Sequence, residues 1–193
     1  MNDTSSNSSA LHSSVATPKD VLAFWRDAGP ARWYAKDDAF DADMRKRFLA
    51  TWEAAKAGKL GAWEDSDEGT LALIIVLDQF SRNMFRNDPR AFSADELARD
   101  VAERAIARGV DQRIEKDLRA FIYLPFEHSE KMEDQTRSVA LFTALGDADS
   151  LKWADLHLDI IRRFGRFPHR NQVLGRDTTA DEAAFLADGG FSG

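Results

Sequence analysis

Apolar residues recur along most of this chain at intervals of three and four, the spacing that gives an α-helix one buried face. Val21, Leu22, Phe24 and Trp25 form the first such group; Thr17 and Pro18 supply an N-cap and a first-turn proline, and Gly29-Pro30 stops it. A short aromatic linker, Trp33-Tyr34, follows. Phe40, Met44, Phe48 and Trp52 predict an amphipathic surface helix from about Asp38 to Ala57, ended at Gly58. Leu71 to Leu77 is apolar without interruption, so the helix opened by Asp67 or Thr70 and running to about Phe85 belongs at the centre of the molecule.

Ser93 to Glu96 reads as a capping box for a helix that ends at Gly109. Ile114, Leu118, Phe121 and Ile122 mark the next, with Pro125 expected to interrupt or kink it before a helix from about Phe126 to Leu145. Ser150 is placed to cap Leu151 to Phe164, with Trp153, Leu156, Ile160 and Phe164 as its apolar stripe and Gly165 as its stop. A final box, Thr179 to Glu182, opens a short helix ending near Gly189-Gly190. The expected fold is all-α: a single domain over 17–193, with about eight helices packed as antiparallel helical hairpins. No sequence repeat at the roughly 34-residue tetratricopeptide period is visible.

Composition narrows the function classes. Residues 1–16 are Ser-rich and aperiodic, which predicts a disordered tail and does not match a secretory signal. No apolar run approaches the roughly 20 residues of a membrane span, so no membrane partner and a cytoplasmic location are expected. The net charge of -7 argues against nucleic acid as a partner. Absence of cysteine removes disulfides and thiolate chemistry. Against this acidic background, the span Arg162 to Arg176 holds five arginines and no carboxylate. Guanidinium forks of this kind suit carboxylate or phosphate ligands.

Three segments carry the candidate chemistry. On the central helix, Asp78 and Arg82 stand four apart on one face of an otherwise apolar element and must pair or line a cavity. After Pro125, Glu127, His128 and Glu130 crowd what reads as a helix start. The dipole accounts for the two carboxylates, whereas His128 lies on a stripe with Met132, Gln135, Val139 and Phe142 and should face inward. His157 sits on an apolar helix face. In the third segment, Gly165 and Pro168 shape the loop and Phe164 and Phe167 plug the core, leaving Arg166, His169, Arg170 and Arg176 as an anion-facing set. The spacings fit neither zincin nor di-iron patterns, and no nucleophile elbow or phosphate-binding glycine loop occurs, so no metal and no cofactor are expected.

Phe24-Trp25, Leu77-Asp78-Gln79-Phe80-Ser81-Arg82-Asn83, Leu124 to Glu130 and the block Phe164 to Arg176 together resemble the bacterial family called domain of unknown function 924, from about Pro18 onward. The resemblance implies a tetratricopeptide-like right-handed helical array; it implies no reaction, cofactor or catalytic residue. Two function classes follow from the residues. The first is a binding or interaction module whose pocket, drawn from Asp78, Arg82, His128, Glu130, His157, Arg166, His169, Arg170 and Arg176, takes an anionic small molecule or an acidic peptide end. The alternative is a small enzyme using the same histidines and carboxylates for acid–base chemistry on an anionic metabolite.

Overall fold

The structure, a computed structural model, describes residues 14–193; the Ser-rich segment 1–13 lies outside the described residues. Every regular element among the described residues is helical. In chain order they are α1 (Pro18–Ala28), α2 (Pro30–Trp33), α3 (Asp38–Lys56), α4 (Asp67–Ile75), α5 (Ser81–Met84), α6 (Asp95–Ala107), α7 (Val110–Arg113), α8 (Lys116–Glu127), α9 (Met132–Leu145), α10 (Ala148–Phe164) and α11 (Ala180–Ala187). The expected linker at Trp33 is thus the one-turn α2. Packing begins before α1, since the Ala16 amide donates to Thr51 Oγ1 at 2.8 Å.

Helix α4 is the hub, packed against α1, α6 and α8. Its seven residues from Gly69 to Ile75 are all buried, which is what an unbroken apolar run requires of a helix. Ser66 caps it, accepting from the Gly69 amide at 3.1 Å. Gly69 is needed for space, because a Cβ there would lie 2.1 Å from the Trp63 carbonyl oxygen. Around the far end of this helix, Phe80 meets Phe24, Trp25 and Phe48 at ring-centroid distances of 6.0, 5.7 and 5.1 Å. Each such ring contributes roughly 1.5–3 kcal/mol by leaving water. A smaller core of Ile160, Ile161 and Phe167, with Phe164, Phe185 and Phe191 against it, joins the segment after Gly165 to α10.

Several boundaries differ from expectation. Between α4 and α5, Val76–Phe80 forms a π-helical turn inside a continuous helical path. Pro125 does not end its helix; α8 carries it inside and stops at Glu127, with His128 as the C-cap and a new start at α9. Pro125 forgoes a bond to the Phe121 carbonyl and crowds that oxygen, yet the buried helix runs on to Glu127 before it breaks. Consequently His128 and Gln135 do not share a helix. Ser93 makes no capping box: Ala94 is the N-cap of α6, and Ser93 Oγ instead accepts from Lys56 Nζ at 2.8 Å. Asp147, not Ser150, caps α10, and Trp153 is 48 % exposed on its outer face. Thr17 forms the expected N-cap, completed by Asp20 as a capping box, and the box at Thr179 with Glu182 forms as expected.

Candidate functional site

Asp78 lies in the middle of the π-helical turn and is 0 % exposed. A π turn admits one residue more than the α pitch and so changes which side chain faces inward. Here it is fastened by Ser81, whose hydroxyl donates to the Leu77 carbonyl at 2.5 Å and accepts from Trp52 Nε1 at 2.6 Å. The buried Asp78 carboxylate accepts from Gln79 Nε2 at 2.7 Å and from His128 Nδ1 at 2.8 Å and forms an ion pair with Arg82 at 3.0 Å, while Arg82 donates to the Asp78 main-chain carbonyl at 3.1 Å.

From Asp78 the contacts run round a closed circuit. Arg82 forks onto Asp95 at the start of α6, at 2.9 and 3.1 Å. Asp95 also faces Arg170 at 3.5 Å. Arg170 donates through its other nitrogen to the His128 carbonyl at 3.0 Å, and the His128 ring returns to Asp78. Two arginines and two aspartates therefore balance one another inside the protein, as buried charges must. Burial opposes ionisation of Asp78, but Arg82 and His128 outweigh it and hold the carboxyl below its ordinary range. Burial, with Arg82 beside it, brings Arg170 down to about 10, still charged at neutral pH.

The loop that presents His128 is braced by two side chains. Gln135 Nε2 donates to the Glu127 and Ser129 carbonyls, both at 2.6 Å, taking up oxygens that the end of α8 leaves without helical partners. Ser129 Oγ donates to Asp134 at 2.6 Å, and Asp134 pairs with Arg99 at 3.2 Å. Because a carboxylate only accepts, the His128 proton is on Nδ1, and Nε2 carries the lone pair. Burial and Arg82 lower the His128 pKa against the raising pull of Asp78, so the ring is neutral at pH 7. Among the described residues Nε2 has no hydrogen-bond partner.

Glu127, beside it, is 4 % exposed, and its carboxyl faces His157 Nδ1 at 3.3 Å. His157 Nδ1 is engaged by the Trp153 carbonyl at 2.8 Å. Burial, then the charge of Asp78, push the Glu127 carboxyl up to about 8. Burial takes His157 down to about 4 and His169 down to about 3. Phe191 lies edge-on to both rings, with centroids 4.6 Å and 5.1 Å away. Arg170 Nε and His169 Nδ1 are buried with no partner among the described residues. Trp25 Nε1, Arg119 Nε, Gln135 Oε1 and Ser138 Oγ, on other elements, are likewise buried without a partner among the described residues.

Of the nine residues singled out from the sequence, Asp78, Arg82, His128 and Arg170 make the circuit, with His157 and His169 at its flank. The other three are occupied elsewhere. Arg176 forks onto Glu130 at 2.8 and 3.1 Å, and Glu130 also accepts the Phe167 amide at 2.8 Å. Arg166 forks onto Glu182 at 2.6 and 2.9 Å. The Arg176–Glu130 pair fastens the C-terminal segment to the loop before α9, and the Arg166–Glu182 pair ties α11 to the loop after α10; the dipole reading of Glu127 and Glu130 does not hold, because one closes a helix and the other lies between two. Asp95 and Gln79 complete the site without having been singled out for it, and Glu127, assigned from the sequence to the helix dipole, flanks it instead. Two open surface clefts lie elsewhere: one between α3 and α5, where Asn83 and Arg86 already share Asp41, and one beside α11 that includes Arg166 and Glu182. No group of three or more metal-ligating side chains is found among the described residues.

Residues 21–190 match the family described as bacterial protein of unknown function, DUF924. The chain belongs to this family. It is also similar to a solved structure, the protein of unknown function ATU0120 from Agrobacterium tumefaciens. The two are 44 % identical over 89 % of this chain and 97 % of that one, with a TM-score of 0.86. No curated protein matches. No helix among the described residues is long and apolar enough to cross a membrane. The family resemblance and the all-α class expected from the sequence therefore both hold.

Proposed function

We propose that this DUF924 protein binds a small anionic molecule at the Asp78–Arg82–Asp95–Arg170–His128 circuit. The observation that carries this reading is the buried, unpartnered Nε–H of Arg170, whose Nη2 reaches the carbonyl of His128. Buried polar groups in a packed scaffold are almost always paired, because an orphaned one costs about 1–3 kcal/mol. A carboxylate or phosphate oxygen would accept from Arg170 Nε, and a hydroxyl of the same molecule would donate to His128. The internal balance of the circuit, two arginines against two aspartates, favours a ligand of low charge over a polyanion.

A thermal-shift screen of the full chain against inorganic phosphate, sulfate and small mono- and dicarboxylates tests the proposal, with NMR following the Arg170 Nε–H and His128 ring signals. A binder at a hundredfold its Kd stabilises by about 2.7 kcal/mol. It should move those two signals first, and the gain should be lost in Arg170→Lys, which keeps the charge and removes Nε. A binder whose gain survives Arg170→Lys, with both signals unmoved, would place binding elsewhere and refute the site.

A further inference from the structure

The cleft between α3 and α5 is lined by charges that the fold leaves without partners. Asp38, Arg45, Lys46 and Leu49 fall on one face of α3, and Asn83 and Arg86 stand on the other side. The space is about 570 Å³, within the roughly 300–1,000 Å³ of small-molecule sites. Asp41, the buried carboxylate of the lining, has both oxygens taken: Asn83 Nδ2 donates to one at 2.8 Å and Arg86 Nε to the other at 2.5 Å. Arg86 Nη2 reaches the Ala35 carbonyl at 3.3 Å, and Nη1 has no partner among the described residues. Because a carboxylate only accepts, the Asn83 amide sets its nitrogen on Asp41 and leaves its oxygen for another donor. That oxygen has no hydrogen-bond partner among the described residues, although Asn83 is only 5 % exposed. Buried side-chain oxygens are paired in nearly every packed structure. Arg45 lies over the Phe85 ring at 5.5 Å, and neither it nor Lys46 has a carboxylate partner among the described residues. Three cations and one buried acceptor therefore line a single cleft of an otherwise acidic protein.

We infer that this cleft binds a small hydroxylated phosphate monoester, its phosphoryl group among Arg45, Lys46 and Arg86 and a hydroxyl donating to Asn83 Oδ1. The number of cations sets the anion. A phosphoryl dianion offers three terminal oxygens, one for each cation, whereas a carboxylate offers two and is satisfied by one guanidinium fork. The Asn83 oxygen only accepts, so the rest of the ligand has to carry a donor, and the Asp38 carboxylate is a second acceptor on the α3 face. Leu49 gives the carbon frame an apolar surface. Asp41 takes no part in binding; it fixes Arg86 and Asn83 before a ligand arrives, which lowers the cost of ordering them. The cleft shares no residue with the buried circuit, so the two sites are independent.

The test is a titration of the full chain with glycerol 3-phosphate, inorganic phosphate, glycerate and glycerol, followed by calorimetry and by NMR of the Arg86 Nε–H and Asn83 side-chain amide. Glycerol 3-phosphate should move both signals and bind about fivefold tighter than inorganic phosphate, the worth of one net hydrogen bond. Glycerate and glycerol should bind at least about tenfold more weakly than the ester. Replacing Arg45→Ala together with Lys46→Ala should weaken the ester by at least about tenfold. Both residues are exposed on α3, so the fold is not at stake. Arg170→Lys should leave the affinity unchanged, which separates this cleft from the buried circuit. Phosphates that move neither signal overturn the site. Glycerate matching the ester overturns the phosphoryl class, and inorganic phosphate matching it overturns the hydroxyl contact to Asn83. Affinity that survives the double substitution, or is lost in Arg170→Lys with circular dichroism unchanged, places the phosphate elsewhere and overturns the proposal.

Discussion

Ser81→Ala tests whether the π-helical turn that carries Asp78 is held by a side-chain relay. Removing the hydroxyl takes the acceptor from Trp52 Nε1, 2.6 Å away, and the donor from the Leu77 carbonyl at 2.5 Å. Trp52 and Ser81 are both buried, so water does not replace what is lost. An orphaned buried donor costs about 1–3 kcal/mol, and a central value of about 2 kcal/mol is expected here. For a chain of this size each kcal/mol is worth roughly 2–4 °C, so the melting temperature should fall by about 4–8 °C. The decisive measurement is the double-mutant cycle with Trp52→Phe, which retains the ring against Phe85 but has no N–H to orphan. In that background Ser81→Ala should cost at least about 1 kcal/mol less than in the wild type. Equal costs in the two backgrounds would show that Ser81 acts by packing alone and would refute the relay.

Three further outcomes follow from the same contacts. Glu127 is raised to about 8 by burial and by Asp78, so the native state holds a proton that the unfolded state releases at its ordinary, lower pKa. Stability should therefore fall as pH rises from about 4.5 toward 8, and Glu127→Gln should gain on the wild type across that window in urea titrations; a constant difference would contradict it. Glu182 is held down to about 2, first by its hydrogen bonds from Arg166, against the opposing effect of burial. Its stabilisation is present above about 4.5 and lost as pH falls through about 2, so Glu182→Gln should be less stable at pH 7 and converge with the wild type at low pH in acid-unfolding curves. Gly69→Ala should lower the melting temperature by several degrees, because its Cβ would lie 2.1 Å from the Trp63 oxygen, in backbone that can move only by opening the Trp63 turn. A neutral result would mean that turn is loose.

The local signals were read well because they act within a few residues. Thr17 with Asp20 and Thr179 with Glu182 complete their caps inside one turn, and the apolar run Leu71 to Leu77 had no surface to face. Asp78 and Arg82 meet as their spacing demanded. The partners of the arginines were not legible, since Arg176 reaches Glu130 across 46 positions and Arg170 reaches Asp95 across 75. Charge runs show what needs neutralising without showing which carboxylate does it. Ser93 misled because the tertiary contact to Lys56 outcompeted a box that the local motif permits. Pro125 misled because the buried packing of Phe121 to Glu127 carries the helix through it, despite the local cost of the proline. The π-helical turn left no mark in the apolar pattern, because every side chain in it is buried whichever way the helix is wound.

The closed circuit has a consequence for how the sequence can change over evolutionary time. Arg82 and Asp95 are each shared between two charged neighbours, so altering either leaves two opposite charges short of a partner in a largely buried setting. Asp78, Arg82, Asp95 and Arg170 are thus tied together as a unit of inheritance, although they come from three separate places in the chain. Viable drift would have to proceed by compensating pairs, an arginine lost with its aspartate. In an alignment of relatives, covariation between Asp95 and Arg170 would be the trace left by that constraint.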